Sequence, residues 1–130
     1  MPDGELEGRT VLVLEDEPII AIDLQMECED AGATVLRAET VAEARAALEA
    51  GVDTAVLDYT LMSRTTAEPI ADALMEAGIP FVFYSGDLDR HGEAISRFGV
   101  PILNKPVPAR DVVRALVEGL EACRTSGADA

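Results

Sequence analysis

Carboxylate side chains follow two separate apolar segments of the sequence. Glu15, Asp16 and Glu17 come directly after the segment TVLVL, and Asp58 comes directly after AVL. Carboxylates that lie together repel one another unless a cation or a proton compensates. Oxygen ligands without His or Cys favour Mg2+. If the two segments end at the same place, we expect Glu15, Asp16 and Asp58 to hold a magnesium ion. The backbone carbonyl of Thr60 is a further candidate ligand.

Asp58 has a second role available. A carboxylate oxygen beside Mg2+ can attack phosphorus in line and become an aspartyl phosphate. Lys105 then serves as a point charge for the phosphoryl oxygens, and Ser85 donates its hydroxyl to them.

Each of these residues also has a plainer explanation when it is taken by itself. Acids such as Glu15 and Asp16 favour a helix N-terminus, Ser85 with the glycine after it is typical of a turn, and Lys105 is an ordinary surface residue. None of these explanations accounts for Asp58 at the end of another apolar segment. The combined set therefore predicts a phosphoryl-transfer site.

The elements that position these residues alternate along the chain. Short apolar runs rich in β-branched residues predict buried strands at 10–14, 33–37, 54–57, 81–84 and 100–103. Helical patterns lie between them, and their start and stop signals are Pro18, Gly32, Thr40, Gly51, Gly78 and Pro108. The pattern at 88–98 has few apolar positions, so we expect a short or mobile helix there.

This alternation predicts an α/β fold, a doubly wound five-stranded parallel sheet with five helices. The length favours the flavodoxin-like strand order 2-1-3-4-5, in which ligands bind at the carboxyl ends of the strands. Glu15, Asp16, Asp58, Ser85 and Lys105 all fall at those ends, which places the predicted chemistry at one edge of the sheet.

Length and charge limit the possible classes of protein. The 130 residues suit one domain, which we place at 9–122 between flexible ends at 1–8 and 123–130. The net charge of −15 disfavours nucleic acid and anionic membranes as partners. No apolar run is long enough to span a bilayer and no signal peptide is evident, so we expect a cytoplasmic protein. Cys28 and Cys123 form no metal or redox motif and are expected to be reduced.

Four segments of the chain resemble the signatures of response-regulator receiver domains, the CheY-like family. These segments are VLVLEDEP, AVLDYTL, PFVFYSG and NKP, and the likeness covers about residues 9 to 122. The resemblance implies that Glu15 and Asp16 are the acidic pair, Asp58 is the phosphoacceptor, Ser85 is the switch hydroxyl and Lys105 is the family lysine. It also implies a Mg2+ cofactor and a sensor histidine kinase or histidine phosphotransfer protein as partner. Such a domain catalyses only its own phosphorylation and autodephosphorylation.

The sequence departs from most receivers at one position. The family usually carries Tyr or Phe three residues before the lysine, and here that residue is Ile102. The segment 80–86 is similar to the Pro-Phe-x-Phe-Ala-Thr-Gly-Tyr motif of the stand-alone FATGUY receivers, which also lack the aromatic switch. Tyr84 and Ser85 replace Ala-Thr of that motif, and Asp87 replaces its final Tyr. An element other than a rotating ring is therefore expected to carry any signal.

These features favour a stand-alone receiver that signals by protein contact or acts as a phosphate sink. The resemblance places its downstream contact around the fourth helix, fifth strand and fifth helix. A second hypothesis is a pseudo-receiver that binds partners without phosphorylation. A phosphatase would be expected to have an acid where Thr60 stands, and a flavin protein would need small hydroxyl and Gly residues where Glu-Asp-Glu-Pro stands. The sequence disfavours both enzymes.

Overall fold

Five parallel strands form one sheet in the order β2-β1-β3-β4-β5. The computed structural model describes residues 4–61, 65–86 and 94–129, with side chains as far as residue 123. The strands are β1 (Thr10–Leu14), β2 (Thr34–Ala38), β3 (Thr54–Leu57), β4 (Phe81–Ser85) and β5 (Ile102–Asn104). The sheet confirms the predicted flavodoxin-like order, and β1 and β3 are neighbours at its centre.

Helices connect the strands as the alternating pattern predicts. They are α1 (Pro18–Asp30), α2 (Val41–Ala50), α3 (Glu68–Ala77), α4 (residues 94–96) and α5 (Ala109–Asp129). Residues 88–93 of the predicted weak fourth helix lie outside the described part of the chain, so only the end of that helix is seen. Among the described residues, no helix is both long and apolar enough to cross a bilayer.

Two of the predicted helix signals are seen in the structure: Thr40 lies at the start of α2, and Gly78 lies at the end of α3. The Thr40 hydroxyl accepts a hydrogen bond from the backbone N–H of Glu43 at 3.1 Å, and the Glu43 carboxylate accepts one from the backbone N–H of Glu39 at 2.8 Å. This is a capping-box arrangement. Gly78 has φ +71°, a left-handed conformation that favours glycine at a helix end.

The sheet separates two apolar layers. Alternate side chains of each strand point to opposite faces, so Leu12 and Leu14 pack with α2 and α3, whereas Val11 and Val13 pack with α1 and α5. Four apolar residues just before and within α3 are fully buried; they are Ala67, Ile70, Ala71 and Leu74. Both faces of the sheet are therefore covered, and polar side chains from the strand ends gather at the sheet edge.

Some element boundaries differ from the prediction. β5 begins at Ile102 instead of residue 100, because Pro101 has no N–H to donate to the sheet, although its carbonyl accepts from Phe83 at 3.0 Å. β2 begins one residue later than predicted, and β4 extends one residue further to include Ser85.

The predicted domain boundaries at residues 9 and 122 stay a prediction. Within the described residues, Leu6 is fully buried and its N–H donates to the Ala31 carbonyl at 2.8 Å. The backbone of α5 is helical as far as Asp129.

Candidate functional site

Three carboxylates from two neighbouring strand ends meet at the carboxyl edge of the sheet. Glu15 and Asp16 follow β1, and Asp58 follows β3. The backbone N–H of Asp58 donates to the Leu14 carbonyl at 2.9 Å, and that of Glu15 donates to the Ala38 carbonyl at 3.0 Å, so the sheet ladder fixes both backbones. Carboxylate oxygens of Glu15, Asp16 and Asp58 all lie within 4.8 Å of one another. The structure thus brings together the three acids that the sequence predicts.

Lys105 brings a positive charge to these acids from the end of β5. Its backbone N–H donates to the Ser85 carbonyl at 3.0 Å, which extends the pairing of β5 with β4. Its Nζ lies 2.9 Å from Glu15 Oε1, 3.2 Å from Asp58 Oδ2 and 3.3 Å from Glu17 Oε1. The Lys105 side chain is only 13% exposed. One ammonium group therefore serves three carboxylates.

Burial dominates the electrostatics of Asp58. Only 7% of Asp58 and 2% of Glu15 is exposed. Desolvation and the charge of Glu15 raise the pKa of Asp58 to about 7, and the charge and hydrogen bond of Lys105 oppose this rise. Desolvation lowers the pKa of Lys105, but its hydrogen bond to Glu15 and the charge of Asp58 outweigh that effect, so its pKa is raised. Among the described residues, three carboxylates thus share one ammonium group, which is firmly protonated.

The donor set fits a hard divalent cation. Carboxylate oxygens are the ligands that Mg2+ takes, and it binds through one or two carboxylates while keeping several waters. Asp16 is half-buried at the mouth of the site, whereas the Glu15 carboxylate contacts Lys105 through Oε1 and the Glu17 N–H through Oε2, at 3.2 Å. Glu15, Asp16 and Asp58 are therefore the three candidate ligands among the described residues.

The two hydroxyl residues predicted for the site lie at the same edge. Ser85 is the last residue of β4 and is 1% exposed. Thr60 lies two residues after Asp58 and forms an isolated bridge with Thr66. The Thr60 hydroxyl is the one buried side-chain oxygen or nitrogen in the described residues without a hydrogen-bond partner. The role of the Thr60 carbonyl as a metal ligand stays a prediction.

A second network beside the site was missed by sequence reasoning. The Tyr59 hydroxyl donates to Glu68 at the start of α3, and Glu68 lies 3.5 Å from the Arg97 guanidinium. Burial and Glu68 raise the pKa of Tyr59 to about 12, so its hydroxyl stays protonated at neutral pH. Arg97 also lies 4.0 Å from the centre of the Phe98 ring. The sequence signal was weak, since an aromatic residue after a strand is usually core.

Ile102, which stands where most receivers have an aromatic residue, and the nearby Tyr84 both have defined contacts in the structure. Ile102 is half-buried and pairs with Phe83 in the sheet. The Tyr84 hydroxyl donates to the Val107 carbonyl at 2.9 Å, and the Val107 N–H donates to the same hydroxyl at 3.2 Å. Tyr84 is thus held against the α1 and α5 side of the sheet, as part of the packed core there.

This fold and this edge define a class of α/β protein in which acids and a lysine surround a buried aspartate. Among solved structures, the chain is similar to SdrG from Sphingomonas melonis Fr1, with 35% identity, a TM-score of 0.73, and coverage of 90% of this chain and 98% of that one. The response regulator receiver protein from Sinorhizobium medicae WSM419 matches at 27% identity and a TM-score of 0.78, covering 91% and 98%. The chain belongs to the family of CheY-like response-regulator receiver domains.

A more distant solved structure shares the fold. The CheY-like receiver domain protein from Methanospirillum hungatei JF-1 is 22% identical, with a TM-score of 0.80 over 91% of this chain and 98% of that one. Neither a scan of family models nor a search of curated protein sequences found a match.

Proposed function

We propose that the protein is a stand-alone receiver that accepts a phosphoryl group on Asp58 in a Mg2+-dependent reaction. Its donor is a sensor histidine kinase or a histidine phosphotransfer protein. It then signals by protein contact or drains phosphate from its donor, in the cytoplasm. The observation that carries this proposal is the meeting of Glu15, Asp16 and Asp58 with Lys105 at one sheet edge.

Transfer requires Asp58 to act as a nucleophile. One Asp58 carboxylate oxygen attacks phosphorus, an O–P bond forms, and the P–N bond of the phosphohistidine breaks with its electron pair going to the imidazole nitrogen. A pKa of about 7 in the metal-free site means that a proton and a cation compete for this carboxylate. Mg2+ held by Glu15, Asp16 and Asp58 would supply positive charge that offsets these acids and the charge of the phosphoryl oxygens.

The other residues of the site stabilise the transferred group. Lys105, anchored through its backbone to Ser85, offers an ammonium that can move from carboxylates to phosphoryl oxygens. The buried Ser85 hydroxyl is a donor at the end of the adjacent strand. Both groups interact with charge that is larger after transfer, so they favour the phosphorylated state.

An exposed apolar stripe supports a protein as the phosphoryl donor. Ile19, Ile22 and Met26 lie on the outer face of α1 and are 83%, 46% and 59% exposed. Ile19 is two residues beyond the acidic run, so this stripe begins beside the site. Exposed apolar patches next to a reactive group are typical of protein contact surfaces. We expect the phosphodonor protein to cover this stripe.

Labelling of the purified protein tests the proposal. With Mg2+ and acetyl phosphate, the protein should gain one phosphate that hydroxylamine removes, and a chelator should prevent the gain. A pseudo-receiver would gain no phosphate and would show little stabilisation by Mg2+ in thermal unfolding. That pair of results would reject the proposal in favour of phosphorylation-independent binding.

A further inference from the structure

Glu17 contacts Lys105, although it is not one of the three clustered acids Glu15, Asp16 and Asp58. It is the N-cap residue of α1, yet its side chain makes no capping hydrogen bond. Its Oε1 lies 3.3 Å from Lys105 Nζ, and its side chain is 59% exposed. Pro18 follows it at the first helical position, and the N–H groups of the first turn donate no hydrogen bond to the Glu17 side chain. The Glu17 carboxylate thus contacts Lys105 and does not cap its own helix.

The ammonium group of Lys105 has three protons to donate and three carboxylates around it. A phosphoryl group on Asp58 needs that ammonium, because its oxygens carry more charge than the carboxylate that they replace. The contact with Glu15 is the shortest and lies in the most buried position, so it is the hardest to give up. The contact with Glu17 is longer and is exposed to water, so it is the one that competes at the mouth of the site.

We propose that Glu17 is a positioning residue that holds Lys105 in the resting site and opposes its transfer to the phosphoryl group. This inference rests on the proposed function for its consequence, but the contact itself does not depend on phosphorylation. Glu17 would thereby set how readily the site takes up a phosphoryl group. The effect of Glu17 on phosphoryl uptake should be small, because its side chain is exposed and ion pairs in water are weak.

Beryllofluoride, a phosphoryl mimic, measures this effect at equilibrium. At saturating Mg2+, Glu17→Gln should bind beryllofluoride about 1.5- to 5-fold more tightly than the wild type, the range expected for an exposed ion pair. Glu17→Asp keeps the charge but is one methylene shorter, so it should also bind more tightly. Asp23→Asn, an equal loss of charge at an exposed position on α1, should match the wild type.

Two results would overturn the inference. Wild-type affinity in both Glu17 variants would show that Lys105 is not restrained by this residue. Tighter binding in Glu17→Gln together with wild-type affinity in Glu17→Asp would show that the charge of Glu17 repels the anion directly, without holding the lysine.

A metal-free measurement separates this inference from the proposed function. Glu17→Gln, Lys105→Met and the double variant are unfolded by urea in a chelator, and their unfolding constants are compared. We expect the two substitutions to be non-additive by about 1.5- to 5-fold, and additivity would remove the contact and the inference with it. If the wild-type protein fails to bind beryllofluoride, the proposed function is rejected. The double-mutant comparison would still show whether Glu17 and Lys105 interact.

Discussion

Two aspartates flank the same strand and have opposite surroundings. Asp53 precedes β3, and its carboxylate accepts the Thr10 N–H at 2.8 Å and lies 3.9 Å from the Arg9 guanidinium. Its side chain is 41% exposed. Asp58 follows β3 with a side chain that is 8% exposed and shares one lysine with other acids. The first aspartate joins two strands at the amino edge of the sheet, and the second is left with unbalanced charge.

Two residues of the same type thus differ in burial and in neighbouring charge, and these properties set the electrostatics of each carboxylate. At the amino edge, an exposed arginine and a backbone donor match one carboxylate, so the arrangement is stable without further ligands. At the carboxyl edge, the part of the chain that the structure describes brings one ammonium group, that of Lys105, to Glu15, Glu17 and Asp58. Such a site favours a cation, a proton or a cationic partner.

The sharpest test of this comparison exchanges each aspartate for asparagine. Asp58→Asn should lose all of the hydroxylamine-labile phosphate that acetyl phosphate and Mg2+ introduce, because the nucleophilic oxygen is gone. Asp53→Asn keeps the site intact and should be labelled as the wild type is. Phosphate content by mass spectrometry decides the outcome, and normal labelling of Asp58→Asn would refute the assignment of the phosphoacceptor.

The second largest effect is expected when the cation at each edge of the sheet is removed and the free energy of unfolding is compared. Lys105→Met leaves Glu15 and Asp58 buried without a counter-charge, and in metal-free protein it should lower the free energy of unfolding by about 3 kcal/mol. Arg9→Met breaks an exposed pair and should cost about 0.5 kcal/mol. Urea unfolding in a chelator measures both values. Equal costs would mean that the carboxyl edge is better hydrated than its burial indicates.

The pH dependence of stability should carry the signature of Asp58. Its folded pKa of about 7 lies above its ordinary value of 3.8. A raised pKa in the folded state stabilises the fold below about pH 4, and this contribution is lost as the pH rises through about 7. In metal-free protein, Asp58→Asn should therefore gain stability relative to the wild type between pH 5 and pH 8. Melting temperatures in a chelator test this, and a constant difference across that range would contradict it.

Hydroxyl groups near the two ends of β3 should give smaller effects than the loss of Lys105. The Tyr59 hydroxyl donates to the Glu68 carboxylate, and the Thr54 hydroxyl donates to the Pro80 carbonyl at 2.8 Å. Tyr59→Phe should cost about 1.5 kcal/mol, because the acceptor is charged, and Thr54→Val about 1 kcal/mol. Tyr59→Phe should also keep wild-type labelling, since it leaves Asp58 untouched. Loss of labelling would assign Tyr59 to the reaction itself.

Much of the architecture could be predicted from local pattern. Continuous apolar runs and the Thr40 and Gly78 signals indicated which segments are strands and where helices begin and end, and the structure agrees within one or two residues. The start of β5 was wrong because Pro101 cannot donate a ladder hydrogen bond. The contacts of Glu17 and Tyr59 were missed because their partners, Lys105 and Glu68, are distant in sequence or belong to another element.

By itself, the sequence determined that strands and helices alternate and that acids, a hydroxyl residue and a lysine stand directly after particular strands. Only the tertiary structure decided which of these charges share a partner, how deeply each is buried and which carboxylate competes for the lysine. The physical reason is the distance along the sequence over which each interaction acts. Strand and helix propensities act over a few neighbouring residues. The pKa of Asp58 instead depends on groups 43 and 47 positions away (58 − 15 and 105 − 58) and on the exclusion of water by the folded protein.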